Sequence, residues 1–267
     1  MSSVIGNEKL VAIRRDADWA SEMAAVFPPS IVLWRTIEAR AVKDAFARHD
    51  VKRPIMDLGC GEGKFATVVF EKNQLDVGLE VEESLIRAAA TTGVYGRTVL
   101  GDGKRFPLDD ASFATVFSNS VIEHIDPLDS VLSEVFRVLE PRGLFIATVP
   151  TVTLKDGMFC KRRLAALGLR GLAERYGSAV NSKLHHVNLH DGVAWRGRLK
   201  NAGLDLMEAM PYLGVRAVEA WDRLSVEYFF KSRLHLRMPS RKEFVRSRIE
   251  DPGAEPYGAL LLVARKP

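Results

Sequence analysis

Two groups of residues in this sequence have the types and spacing that chemistry needs. The first is Asp57-Leu58-Gly59-Cys60-Gly61-Glu62-Gly63, in which glycine stands at three alternate positions after the apolar residues Ile55, Met56 and Leu58. Glycine allows a sharp turn and lets a ligand touch the backbone with no Cβ in the way. A strand, a glycine turn and a helix start together make a pocket for a nucleotide-like ligand at the carboxyl edge of a sheet. The second group is Lys183-Leu184-His185-His186-Val187-Asn188-Leu189-His190-Asp191, which holds three of the six histidines. An imidazole with a pKa near ~6.5 suits a general base at neutral pH, with His186 and His190 ahead of His185. Clustered histidines are also metal ligands. Here no carboxylate set partners them and the spacing is neither His-x-x-x-His nor Cys-paired, so no metal is expected. They can equally cap the helix that begins near Asp191 or line a loop.

The register of the glycines narrows the first group. A dinucleotide fingerprint needs a glycine at the sixth position counted from Gly59, and that position is Lys64. A phosphate-cradling loop needs Ser or Thr after Gly-Lys, and Gly63-Lys64 is followed by Phe65. What remains is Asp-x-Gly-x-Gly-x-Gly.

The elements that must position these residues follow from pattern. A short helix from Asp18 to Phe27 is stopped by Pro28-Pro29, and Ser30 is a good N-cap for a second one. That helix carries Ile31, Trp34, Ile37, Ala41, Val42 and Ala45 on one face. Leu75 to Glu80 is a second strand, ending in an acid 23 residues beyond Asp57. A carboxylate there can accept two hydrogen bonds from a ribose diol. Glu82 to Thr92 is helical, and Tyr95 to Leu100 is a third strand ending in Gly101-Asp102-Gly103, where Asp102 can accept from an adenine amine. Ala114 to Ser118 is a fourth strand, followed by Asn119. Asp126-Pro127 then offers an N-cap and a first-turn proline for a helix through Leu139. Pro141-Arg142-Gly143 stops it before a fifth strand, Leu144 to Val149.

In the second half, Thr151 to Lys183 is an insertion able to act as a lid, with a basic patch at Lys161, Arg162 and Arg163. A helix from Asp191 to Ala202 and a strand from Leu204 to Met210 follow. An excursion from Pro211 to Gly253 carries Trp221, Tyr228 and Phe229 at helical spacing, and Tyr257 to Ala264 closes the sheet.

Taken in order, Asp57-x-Gly59-x-Gly61-x-Gly63, Glu80, Gly101-Asp102-Gly103, Phe106-Pro107-Leu108, Ser112-Phe113, Glu123-His124-Ile125 and Val138-Leu139-Glu140-Pro141-x-Gly143 resemble the small-molecule (type 11) branch of class I S-adenosylmethionine-dependent methyltransferases. The resemblance covers about residues 50–150. It implies an α/β, Rossmann-like fold: a seven-stranded, mostly parallel sheet with the last strand antiparallel, plus a helical cap. No internal repeat or flexible linker defines a second domain, so one domain over residues 1–267 is expected, made of N-terminal helices (1–50), a cofactor-binding core (51–150), a lid-like insertion (151–190) and a helical excursion (211–253). S-adenosyl-L-methionine would be the cofactor and S-adenosyl-L-homocysteine its product. The cofactor contacts carried over are Asp57, Gly59, Cys60, Gly61, Glu80, Val81, Asp102, Gly103 and Asn119. His124 packs over the site or caps the turn before Asp126. The long excursion departs from the smallest members of the family and is read as a cap or an association surface.

Composition sets the outer bounds. The chain has 267 residues, 47% apolar and 27% charged, as in an ordinary globular protein. No apolar run approaches the ~18 residues of a spanning helix, and no basic segment followed by an apolar core marks the N-terminus. Cys60 and Cys160 form no Cys-x-x-Cys pair, which suits reduced thiols and a cytoplasmic protein. Residues 151–250 hold nineteen Lys/Arg against ten Asp/Glu. Such a surface is either plainly solvated or attracts an anionic acceptor or an anionic membrane that the protein meets peripherally. Nucleic acid is disfavoured, because the fourth strand ends in Ser118-Asn119-Ser120-Val121 and lacks the Asn/Asp-Pro-Pro-Tyr/Phe that grips a flipped base. The expected function is methyl transfer to an oxygen or nitrogen of a small-molecule, anionic or lipid-linked acceptor. The alternative is a catalytically silent scaffold or cofactor-sensing protein of the same fold.

Overall fold

The computed structural model describes residues 19–234 and 257–267. Its centre is β1 (Ile55–Leu58), whose four residues are all buried, as expected of a strand covered on both faces. Parallel to it run β2 (Leu75–Glu80) and β3 (Tyr95–Leu100) on one side, and β4 (Phe113–Asn119) and β5 (Leu139–Pro150) on the other. The crossovers are α3 (Lys64–Val69), α4 (Glu83–Ala90) and α5 (Leu128–Val138). The last strand, β7 (Ala259–Arg265), lies antiparallel between β5 and β6 (Asp205–Tyr212). The order β3-β2-β1-β4-β5-β7-β6 matches the sheet implied by the resemblance. Its direction reverses between β1 and β4, and such a switch point leaves a crevice at the carboxyl ends of those two strands. The glycine turn follows one of them and Asn119 ends the other.

Helices cover both faces. On one, α1 (Trp19–Val26), α2 (Pro29–Arg48) and α9 (Val215–Arg233) enclose a cluster in which Phe46, Phe70 and Phe117 meet at ring distances of 5.2–5.6 Å. Trp34 of α2 stands edge-on to Trp221 of α9 at 5.2 Å. On the other face, α8 (Gly192–Asn201) buries Trp195 and Leu199 with Val131, Leu132 and Val135 of α5.

Several boundaries differ from the sequence reading. Helix α2 begins at Pro29 with Pro28 in the N-cap position, so Ser30 is not its cap. Its buried surface is also wider than one stripe, taking in Val32, Leu33, Glu38 and Ala39, because it is held between the sheet and α9. Helix α5 starts at Leu128 with Pro127, not Asp126, at the N-cap. It stops before Leu139, which already pairs with Phe113 in the sheet. The insertion is a helical pair, α6 (Phe159–Ala166) and α7 (Arg170–Lys183). Lys161 drops out of the supposed basic patch: it is buried, with Nζ 2.8 Å from both Asp156 and Glu174. Trp221 is likewise buried, while Phe229 and Phe230 are exposed. The excursion's first residues, Pro211 and Tyr212, belong to β6, and its stretch from 235 onward lies outside the described residues. Among the described residues no helix is long and apolar enough to cross a membrane.

Candidate functional site

The glycine turn is held from below. Asp57, at the end of β1, is buried and accepts a hydrogen bond from the Tyr95 hydroxyl at 2.7 Å. Burial pushes its carboxyl up to about 7; the Tyr95 bond opposes this and the nearby Glu80 charge adds to it. Gly59 has φ +73°, and a Cβ there would lie 2.4 Å from a methyl of Val121. Both conformation and space therefore require glycine. Its N–H and that of Cys60 donate to the Leu79 carbonyl at 2.8 and 3.0 Å, which ties the turn to β2. Burial and the Asp57 and Glu80 charges push the Cys60 thiol up, so it is no nucleophile.

The upper side of the turn is open. Gly61 has φ +54°, and a Cβ added there meets nothing within 4 Å. Its N–H donates to Glu80 Oε2 at 2.9 Å, while Glu80 Oε1 accepts from Val81 N at 2.8 Å and Glu82 N at 3.1 Å. A carboxylate offers about four acceptor positions, so Glu80 keeps capacity for a ligand hydroxyl. Val81 beside it is 65% exposed, a bare apolar surface at a sheet edge. Asp102, at the end of β3, is exposed and accepts from Lys104 N at 2.9 Å. A Cβ on Gly103 would meet Ile125 Cδ1 at 2.8 Å, so a side chain there requires the flexible end of Ile125 to shift. A cleft of about 340 Å3 opens at this switch point, lined by Phe27, Arg35, Gly59, Gly61, Phe65 and Asn119 among others. An open glycine backbone, an acid with spare acceptor capacity and a bare apolar ledge fit a nucleoside-bearing ligand.

Sequence reading missed the group that closes the cleft. Glu38, in mid-α2, is fully buried and accepts from Arg35 Nη1 at 2.5 Å, Ser120 Oγ at 2.7 Å, Tyr212 OH at 2.9 Å and Asn119 Nδ2 at 3.3 Å. Burial alone would raise its pKa, but the Arg35 charge and these bonds hold it below the usual carboxylate range. The Arg35 guanidinium stands 5.7 and 5.8 Å from the rings of Phe27 and Phe65, and its Nε is enclosed without a partner. The available signal was an Arg-x-x-Glu pair within the otherwise uncharged first half of α2.

The histidines part company. His185 is exposed with φ +55°. His190 stacks edge-on against Trp195 of α8 at 5.3 Å, on the α5–α8 side of the sheet. The helix cap belongs to Asp191, which accepts from Ala194 N at 2.8 Å. His186 instead meets His124, with ring centroids 5.3 Å apart, and both lie with Glu123 in one cluster whose ligand-type atoms are all within 4.8 Å of one another. Glu123 and His124 belong to a single 3-10 turn, Ile122–His124, directly after the cleft residues Ser120 and Val121. A carboxylate partner for the histidines thus exists, supplied by a remote segment. Burial, reinforced by the Glu38 charge, pushes the Glu123 carboxyl up to about 8. Burial and the neighbouring His124 hold His186 down at about 4.

A second, larger cleft of about 820 Å3 lies among α6, α7 and α9. Its walls are apolar, with Phe159, Leu164, Val180, Trp221 and Phe229, and Arg163 and Lys183 also line it. The two clefts share one face of α2: Ile31 lines the second and Arg35, one turn on, lines the first. The end of α7 leads from Leu184 in the second cleft directly to His186.

Residues 56–147 match the family described as "Methyltransferase domain". A "Probable S-adenosylmethionine-dependent methyltransferase" of Mycolicibacterium smegmatis is 32% identical over 170 residues, 56% of this chain and 65% of that protein. The chain spans 60–65% of the length of this and a second mycobacterial relative. Among solved structures, a SAM-dependent methyltransferase from Thermotoga maritima superposes with a TM-score of 0.55 at 17% identity, over 87% of this chain and 89% of the other. Geranyl diphosphate C-methyltransferase from Streptomyces coelicolor, solved with Mg2+, geranyl diphosphate and S-adenosyl-L-homocysteine, gives 0.51 at 13% identity, over 80% and 70%. The sheet order and the switch-point cleft agree with the matched segment: residues 56–147 are similar in sequence to a methyltransferase domain, and the sheet they build has the fold of these solved S-adenosylmethionine-dependent methyltransferases.

Proposed function

We propose that this protein transfers a methyl group from S-adenosylmethionine to an oxygen or nitrogen of a small acceptor with an apolar body and an anionic or lipid-linked end. The observation that carries this reading is that α2 borders two unlike clefts, one through Arg35 and suited to a nucleoside, the other through Ile31 and suited to an apolar chain. The sulfonium of the cofactor supplies an electrophilic methyl group. The protein's task is then to hold the two reactants close and aligned.

Glu80 and Val81 would hold the ribose and the base edge, Asp102 the adenine amine, and Gly59 and Gly61 would admit the ligand against bare backbone. Arg35, with Nε enclosed and unpartnered, would meet the amino-acid carboxylate, and Asn119 stands across from it in the cleft lining. Phe159, Val180 and Phe229 would exclude water from the acceptor's body, while Arg163 and Lys183 attract its anionic end. None of the sequence-predicted histidines lines either cleft; His186, two residues beyond Leu184 of the apolar cleft, would be the one to serve the acceptor.

Incubation of the full chain with methyl-labelled cofactor and lipid-containing or aqueous cell extracts, followed by mass spectrometry of the labelled product, tests the proposal. Label in an apolar small molecule bearing a methylated oxygen or nitrogen supports it. Cofactor binding with no transfer into any extract would leave the scaffold reading in its place.

A further inference from the structure

We propose that Glu123, His124 and His186 form a binding site for a first-row divalent cation, with zinc the best match. The cluster is a two-imidazole, one-carboxylate set, a composition that suits zinc and its transition-metal neighbours better than magnesium or calcium, which prefer all-oxygen shells. Three features of the local geometry support it independently of the family.

First, the ring nitrogens are assigned by their partners. His124 Nδ1 lies 3.0 Å from the carbonyl oxygen of His185. A carbonyl can only accept, so Nδ1 carries the proton and Nε2 keeps its lone pair. His186 Nδ1 lies 3.2 Å from Asn181 Oδ1, and the Asn181 amide is oriented by its Nδ2 donating to the His186 carbonyl at 3.5 Å. His186 Nε2 is therefore also left as an acceptor. A histidine anchored through one nitrogen to an oxygen acceptor, with the other free, is the arrangement of metal-ligating histidines.

Second, Glu123 is 1% exposed and its Oε2 has no hydrogen-bond partner. An enclosed carboxylate oxygen without a donor is costly, and neither imidazole can supply one when both present lone pairs. A cation satisfies all three groups at once. Third, the spacing is close to that needed. Glu123 Oε1 and His124 Nε2 are 3.6 Å apart, and tetrahedral zinc with bonds of ~2.0–2.1 Å spaces its ligands at roughly 3.3 Å. The backbone is fixed as well, because Val187 and Asn188 N–H both donate to the Glu123 carbonyl at 2.9 and 3.0 Å. This joins the segment after His186 to the turn that carries the other two ligands.

Three protein ligands leave a fourth position, as in zinc sites that take an exogenous oxygen. The cluster follows Ser120 and Val121 of the cofactor cleft and terminates the α7 wall of the apolar cleft. An acceptor's oxygen-bearing end bound to the ion would therefore lie between the two. This role for the ion rests on the methyl-transfer reading above; the cation site itself does not.

The test is equilibrium dialysis of tag-free, chelator-stripped full chain against Zn2+, with bound metal read by mass spectrometry, and the visible spectrum of the Co2+-loaded protein. One equivalent should bind, with a Co2+ band of the intensity expected for four-coordination. Glu123→Gln, His124→Ala and His186→Ala, each checked for a native circular dichroism spectrum, should each weaken binding at least about tenfold. Asn181→Ala, which removes the acceptor behind His186 together with the 3.5 Å bond to the His186 carbonyl, should weaken it by about 10–100-fold. His185→Asn and His190→Gln should bind as wild type. A wild-type chain that holds no more metal than a His124→Ala/His186→Ala double variant overturns the proposal, as does a loss that follows His190. Calorimetry with S-adenosylmethionine on the same preparations separates the two ideas. Cofactor binding without zinc binding removes only the cation site, and zinc binding without cofactor binding removes only the methyl-transfer reading.

Discussion

At the scale of single residues, Glu80 carries the clearest expectation. Its carboxylate braces the turn through Gly61 and Val81 and retains room for a ligand hydroxyl. Glu80→Ala should weaken cofactor affinity by about 1.5–3 kcal/mol per charge-assisted bond lost, measured by calorimetry, with a smaller effect on melting temperature. Asp57 gives a pH signature. Its folded pKa of about 7 lies above the ordinary aspartate value of 3.8, so between these values the folded state binds more protons than the unfolded one, and stability falls as pH rises through that window. The difference in melting temperature between wild type and Asp57→Asn should change in the direction of lost wild-type stability as pH rises from about 4 to 7, with the titrations of Glu123 and His186 common to both proteins; a difference independent of pH would place the titration elsewhere. Glu80, Gly59 and Gly61 were legible in the sequence because each sits at a strand end marked by local pattern. Glu38, Arg35 and Tyr212 were not, because their meaning depends on contacts across 174 residues of chain. The same reason hid Glu123 from the histidines.

At the scale of elements, α2 is the hinge of the account. It seals the cofactor cleft with Arg35, borders the apolar cleft with Ile31 and anchors both through Glu38. Removing Glu38 leaves Arg35 without its buried counter-charge, a loss of about 3–5 kcal/mol for a pair of this kind. Glu38→Ala should therefore lower the denaturation midpoint strongly, whereas a shift within experimental scatter would mean that Arg35 finds another partner. Gly59→Ala tests the turn. The left-handed conformation costs about 1–3 kcal/mol for a residue with a Cβ, and the Val121 contact adds to it, so both stability and cofactor affinity should fall. Helix and strand order was readable from periodicity and from Pro-Gly punctuation. The exact starts of α2 and α5 were not, since each competing Ser or Asp stood beside a proline that took the cap position. The wide buried face of α2 was hidden for a different reason: burial by α9 on one side and the sheet on the other leaves no clean stripe.

At the scale of the whole molecule, the basic second half divides into charges spent on structure and charges left at the surface. Lys161 belongs to the first kind, paired with Asp156 and Glu174. Arg163 and Lys183, at the apolar cleft, belong to the second. Attraction of an anionic acceptor through them is screened over ~8 Å at physiological salt. Acceptor affinity should therefore fall as salt rises while cofactor affinity barely changes, and Arg163→Ser with Lys183→Ser should reproduce the loss at low salt. Phe229→Ser should weaken binding of an apolar fluorescent probe and spare the cofactor. Arg237, Arg241 and Lys242, which the sequence also marks as basic, lie outside the described residues.

In the reading proposed above, the switch-point cleft binds the methyl donor through the glycine turn and Glu80. Calorimetric titration of S-adenosyl-L-homocysteine into the full chain and into Glu80→Ala tests it most directly. Binding to the wild type should be saturable and one-to-one, and binding to the variant at least about tenfold weaker, since its lost hydrogen bonds are worth about 1.5–3 kcal/mol each. No heat from the wild type, or equal affinity in the two proteins, would contradict it.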